Sequence, residues 1–460
     1  MKFEIPNFKR LSGARLETLA TFPVAKRGGA PGFVWRLIAL AVLVLISRTL
    51  PAAEEFEGRF LRLYWYEREF PYNPHFERRL RVNAPETSLH PEFGRRVEAR
   101  ENGLMIIRAE EDLSLLKGAE LYLELWGGHP GTTNKRVTVN GRSQYTLPEV
   151  GTAEKNCTYT YPVIPLGLTD LVNGYNAFQF ACEKGTTFWG HFLIDNACLR
   201  LVLADEHPDL KNAELNGFTA TIKTRMIDDR ELMELNLACP ADKLAKISAV
   251  MYEGYYEGYD ENGNTETLDW HGFTKNRMPV GILGTSKAAP FSFAWDMSMV
   301  PNQANMSVRA VLHFQGQSNL VYATAAARNL RAPRRSAKVA LYSSKDLPKP
   351  FWSRANQKKT CTINLDLEPE KIERAELHVV TWTGGAGNVK SYFTLNGVPF
   401  PVAEGNRHEV QYSRLNVNSK ILKQGTNIVE LLSDTQQHGI EIFLPGPALI
   451  VRSRQSGQKK

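Results

Sequence analysis

Two stretches decide the fold: AELYLELWGGHPGTTNKRVTVNG at 119–141 and AELHVVTWTGGAGNVKSYFTLNG at 375–397. In the first, Leu121, Leu123 and Leu125 alternate with polar or larger neighbours, the period-2 pattern of a strand with one face buried. Arg136 to Val139 alternates too, and Asn140-Gly141 is the dipeptide of a tight hairpin turn. The two stretches align without a gap at an offset of 256. They share Ala119/Ala375, Glu120/Glu376, Leu121/Leu377, Trp126/Trp382, Gly128/Gly384, Gly131/Gly387, Thr138/Thr394, Asn140/Asn396 and Gly141/Gly397. Downstream, Leu171-x-x-Gly174-x-Asn176 matches Leu422-x-x-Gly425-x-Asn427, and Gly190 matches Gly439 before the closing strands Leu199–Leu203 and Ala448–Arg452. This self-similarity predicts two copies of one β unit on either side of a central segment.

The centre has its own alternating runs at Phe218–Arg225, Glu231–Leu237, Ile247–Tyr252 and Ser307–Phe314. After residue 53 no long amphipathic helix is written. Short helical turns are expected near Asp112–Lys117 and Glu368–Arg374. Many short strands separated by Gly- and Asn-rich turns predict an all-β chain of sandwiches. The expected organisation is a signal or anchor at 1–53, a first sandwich with an N-terminal extension at 54–212, a central sandwich at 213–330, a basic linker at 331–338 and a second copy at 339–460.

The repeated unit resembles the galactose-binding-like jelly roll of many carbohydrate-binding modules. The residues that carry this are the Ala-Glu-Leu strand, the Asn-Gly turn, the Leu-x-x-Gly-x-Asn step and Gly190 to Asn196 before the last strand. The second copy departs from it at Leu444-Pro445-Gly446-Pro447. The centre resembles bacterial immunoglobulin-like domains, chiefly through Trp295-Asp296 ahead of Ser307–Phe314. The resemblance implies the order jelly roll, immunoglobulin-like, jelly roll, and glycan binding at loop ends. It does not fix function, because one fold hosts many.

The net charge of +7 is concentrated in the leader: residues 1–53 carry +6 and the remainder +1. A nearly neutral body excludes nucleic acid as the expected partner. Within the leader, Leu37 to Ile46 are ten unbroken apolar residues, about 15 Å as a helix and half a bilayer core. A basic stretch, a short apolar run and Pro51-Ala52-Ala53 read as an export signal. The protein is expected to be secreted, periplasmic or on the cell surface, touching a membrane only through this segment if it stays uncleaved.

The nucleophile elbow, zinc-protease, P-loop and dinucleotide patterns are absent. Five Cys are too few for a disulfide scaffold. Cys182 and Cys198 are the one candidate disulfide pair, with two buried thiols the equal alternative. Asp260 to Asn264 lacks the Gly and the closing Glu of an EF-hand loop and reads as a solvated hairpin tip. Asp195, in an Asp-Asn turn, is the candidate ligand of a structural calcium; no other cofactor is expected. Asp260, Glu261, Asp269 and Asp296 are available as acids for glycoside hydrolysis, but nothing selects a pair.

A sugar has an apolar ring face that stacks on an aromatic and hydroxyls that need oriented amide, imidazole or carboxylate partners. Trp126, His129, Asn134, Trp189 and His191 offer these in the first copy, and Trp382, Asn388 and His438 in the second. The plainer reading is that Trp126 and Trp382 cap the sandwich core. The first copy is expected to bind better, having longer loops (33 positions from Gly141 to Gly174 against 28 from Gly397 to Gly425) and more of these side chains. The expected function is an exported, non-catalytic, lectin-like protein whose partner is a glycan or glycoprotein, with cell-surface proteins as further partners. The alternatives are a glycan- or glycoprotein-degrading hydrolase or lyase with a site at domain contacts, and a structural or adhesive surface protein.

Overall fold

The computed structural model describes residues 56–66, 80–84, 89–90, 94–95, 103–129, 131–152, 154–184, 190–227, 230–275, 278–332 and 337–455. The chain divides into units at 1–51 and 52–460, and the described residues all belong to the second. The leader and Trp189 lie outside them. No helix among the described residues is long and apolar enough to cross a membrane.

The described chain is all-β, arranged as layered sheets. The predicted helical turns are single 3-10 turns at Leu113–Leu115 and Pro369–Lys371. In the first part, Leu116–Trp126 lies between Val163–Leu166 and His191–Leu203, facing a second sheet ordered Leu104–Ala109, Gly174–Lys184, Thr132–Val139, Ser143–Thr146. Leu121, Leu123 and Leu125 point into the core, as their alternation requires. The last part repeats this plan: Ile372–Thr383 pairs with Ala448–Arg454 and Val410–Val417, over a sheet of Lys359–Leu365, Gly425–Leu431, Phe393–Leu395 and Val398–Pro399.

The repeated Asn residues have a physical role. Asn140 and Asn396 both adopt positive φ (49° and 52°) ahead of Gly141 and Gly397, the conformation that Asn tolerates best after Gly. The Asn140 amide donates to Asp170 O and Asn176 Oδ1, and its carbonyl accepts from Ala177 N. The Asn396 amide donates to Ile421 O and Asn427 Oδ1, and its carbonyl accepts from Ile428 N. Asn176 and Asn427 in turn close the Leu-x-x-Gly-x-Asn loops by bonding Val172 and Gly174, and Lys423 and Gly425.

One strand joins the first part to the centre. Arg59–Trp65 pairs with His191–Leu203 on one side and with Gln317–Ala323 on the other, so a single sheet runs through both. One apolar core likewise extends from Leu121 and Phe192 to Tyr252, Trp295 and Leu312. The last part has a core of its own. A third, smaller apolar cluster lies where the three parts meet: Cys157 and Tyr159 from the first, Tyr259 from the centre, and Val380, Phe443 and Ala448 from the last.

Candidate functional site

Each long inner strand carries a Trp at or next to its end, and in each case two imidazoles gather on it. In the first copy the Trp126 ring lies 5.3 Å from His129 and 5.4 Å from His191, which are themselves 4.7 Å apart. Gly128 allows this crossing. It has φ 98°, and a Cβ there would fall 2.1 Å from His191 O. In the second copy the Trp382 ring lies 5.3 Å from His408 and 5.9 Å from His438, and the imidazoles are 4.9 Å apart. A Cβ on Gly384 would fall 2.1 Å from Gly439 O. The repeated glycines are therefore requirements of loop passage.

The second imidazole has a different origin in the two copies. His129 follows Trp126 by three residues, whereas His408 comes from the loop before Val410–Val417, whose Val410 is the register partner of Trp382. Sequence reasoning missed His408, because only the pairing of those strands brings it to Trp382. Exposure also differs: His191 is buried, His129 and His408 are half-buried, and His438 is exposed. Asn134 and Asn388 are both exposed. The Asn134 amide donates to Glu183 (2.7 Å), and the Asn388 N–H donates to Asp434 (3.0 Å).

Beside Trp382 the sheet places a row. Trp352 pairs with Glu441, and Glu441 pairs with Trp382, so three side chains from adjacent strands share one face. Arg354 lies 5.0 Å over the Trp352 ring. His129 of the first copy reaches the same Trp352, at 6.5 Å. The Cys157 thiol, also from the first copy, lies beside the Glu441 carboxyl. Burial raises this carboxyl to about 7, against smaller lowering effects of Cys157 and Arg354. Burial together with Glu441 pushes Cys157 well above the ordinary thiol range, which makes it unreactive as a nucleophile.

The contact is held by directed bonds. Leu444 N donates to Cys157 O (3.1 Å). The Tyr259 hydroxyl donates to Gly446 O (2.8 Å) and accepts from Val380 N (3.2 Å). Lys275, from the central hairpin, donates to Val410 O. The Asp260 to Asn264 segment is not a solvated tip but a wedge. Gly263 packs so closely on the first copy that a Cβ would fall 2.4 Å from Tyr159 O. Asp260 is buried and accepts from Asn264 and Thr265 N–H; burial raises its carboxyl to about 6, opposed by these backbone bonds.

The remaining candidates have structural partners. Asp195 accepts from the Tyr159 hydroxyl (2.8 Å), and among the described residues no three His, Cys, Asp or Glu gather as a metal group. Cys182 and Cys198 are free thiols. Cys182 faces the core from one sheet and bonds Val82 O, whereas Cys198 is absent from that core and lies in the opposite sheet, paired with Trp65 and Tyr122. A His–Glu–Tyr set unseen in the sequence, His207 with Glu111 (3.1 Å) and Tyr64, has the look of a catalytic relay. The other His207 nitrogen, however, accepts from Asp209 N to cap a helical turn, so no lone pair is left for proton abstraction.

No family model matches the chain, and no curated protein does. Solved structures resemble parts of it. A beta-porphyranase of glycoside hydrolase family 86 from the human gut bacterium Bacteroides plebeius aligns with a TM-score of 0.23 and 14% identity, over 51% of this chain and 37% of its own. The glycoside hydrolase domain of Endo-D from Streptococcus pneumoniae aligns at 0.21 and 9%, over 50% and 31%. A beta-glucuronidase from Parabacteroides merdae aligns at 0.18 and 10%, over 59% and 35%. The chain thus spans about a third of the length of each.

Proposed function

We propose that this protein is an exported glycan-binding protein built of two galactose-binding-like jelly rolls around an immunoglobulin-like centre, and that the Trp–His–His sets carry the binding. The supporting observation is that each copy gathers two imidazoles on its strand-end Trp although the second imidazole arrives from unrelated loops. Inheritance of the fold explains Gly128, Gly384, Asn140 and Asn396. It does not explain His129 and His408. A half-buried indole with imidazoles at its edge offers an apolar face and oriented polar atoms, the pair of features a sugar requires. Exposure favours the second set as the more open, a reversal of the order expected from loop length. A calcium ion near Asp195 and cell-surface proteins as partners belong to the same reading.

The test is a glycan array on the full chain with and without calcium, followed by calorimetry of Trp382→Ala and His438→Ala. Loss of one stacked sugar is worth about 1–3 kcal/mol, by analogy with bases stacked on aromatics, or roughly 5- to 150-fold in affinity. Folded variants that bind as well as the parent would refute the assignment. Glu441 is the observation that favours the second reading, a hydrolase. A carboxyl that protonates near neutrality between two Trp is suited to general-acid work. Reducing ends released by the parent chain but not by Glu441→Gln would establish that reading.

A further inference from the structure

We propose that the two Trp–His–His sets are halves of one composite site, which holds a single oligosaccharide chain across the contact between the first and last sandwiches. This inference rests on the glycan reading above and goes beyond it in two respects: the number of chains held and the class of ligand.

The first argument is continuity. Trp126 of the first copy and Trp352 and Trp382 of the last pack against the same buried group, which includes Cys157, Tyr159, Val380 and Phe443. His129 touches Trp126 and reaches Trp352, so the first set leads directly into the Trp352–Glu441–Trp382 row. The second argument is spacing. Trp352 and Trp382 are two strands apart, about 10 Å, with a carboxyl between them and Arg354 alongside. A single sugar ring covers one indole. Rings repeated along a line, separated by hydrogen-bonding groups, match consecutive residues of a chain. The third argument is rigidity. The backbone bond from Leu444 to Cys157 holds the two halves in register, and the Tyr259 hydroxyl ties the central segment to the last sandwich, so the second half is ordered before the chain arrives. Linked halves of this kind raise affinity by about 10²–10⁴ over either alone.

The test uses the full chain and galactose-, glucose- and N-acetylglucosamine-based oligosaccharides of one to six residues, titrated by calorimetry, with thermal unfolding as the folding control. The composite site predicts one chain per protein molecule and affinity rising about 100-fold from monosaccharide to tetrasaccharide. It also predicts that His129→Gln and His438→Gln each weaken that one isotherm about 5-fold or more without changing its stoichiometry. Both positions are at least partly exposed, so these variants leave the packed contact in place. Two chains per molecule would overturn the composite site and leave glycan binding standing. So would a His129→Gln variant that binds as the parent does while His438→Gln does not. If no member of the series binds, the glycan reading falls, and this inference with it.

Discussion

Replacing Glu441 by Gln tests the reading of the contact most directly. The side chain is partly exposed, wedged between Trp352 and Trp382, and neighboured by the Cys157 thiol from the other sandwich. Burial raises its carboxyl from the ordinary 4.5 to about 7. A raised acid keeps its proton in the folded state while the unfolded chain releases it. Stability from this group is therefore full below pH 4.5 and is lost as pH rises through 7. At about 1.36 kcal/mol per pH unit the full loss is about 3.4 kcal/mol, and partial exposure brings it to about 2 kcal/mol. Gln has nearly the same size, but it cannot ionise. Urea unfolding followed by Trp fluorescence at pH 5, 6, 7 and 8 should show the two proteins matching within about 0.5 kcal/mol at pH 5. At pH 8 the variant should be more stable by about 2 kcal/mol. Asp260, raised to about 6, gives a slope of the same sign in both proteins and cancels in the difference. Parallel curves, or a variant less stable at pH 8, would show that the carboxyl is charged and well partnered in the contact.

Three further outcomes are expected. Asn427→Ala removes a fully buried amide that bonds five neighbouring groups and should destabilise the last sandwich by about 2–4 kcal/mol in urea titration; a change under about 0.5 kcal/mol would refute its structural role. Tyr259→Phe leaves Val380 N–H and Gly446 O without their bridge; a loss of about 1–3 kcal/mol and faster amide exchange at Val380 should follow, and unchanged protection there would mean the bridge is not formed. Burial would push the Glu376 carboxyl up, but the hydrogen bonds and charges of His378 and Arg414 outweigh it and hold it at about 2. Its stabilisation is present above pH 4.5 and lost as pH falls through 2, so Glu376→Gln should flatten the acid limb of the stability profile between those values; a limb as steep as the parent's would place the acid sensitivity elsewhere.

The sequence by itself determined the all-β class and the matching strand plans. Alternation at Leu121, Leu123 and Leu125 needs only a period of two, and Asn-Gly or Leu-x-x-Gly-x-Asn needs only local backbone geometry. Both Asn networks close within about 40 residues and are readable from spacing. It also marked Trp126, His191, Trp382 and His438, because they flank those local signals. What it did not determine is where the copies meet. His408 joins Trp382 only through the pairing of Val410–Val417 with Ile372–Thr383. Glu441 was silent because its raised proton affinity comes from burial that only the assembled contact creates, with Cys157, nearly three hundred positions away, pulling weakly the other way. The Asp260 to Asn264 segment reads as solvated in isolation because its composition is polar. It becomes a wedge because Gly263 has no side chain to keep it from the backbone of Tyr159. Local chemistry wrote the strands and turns; long-range packing decided which side chains share a site.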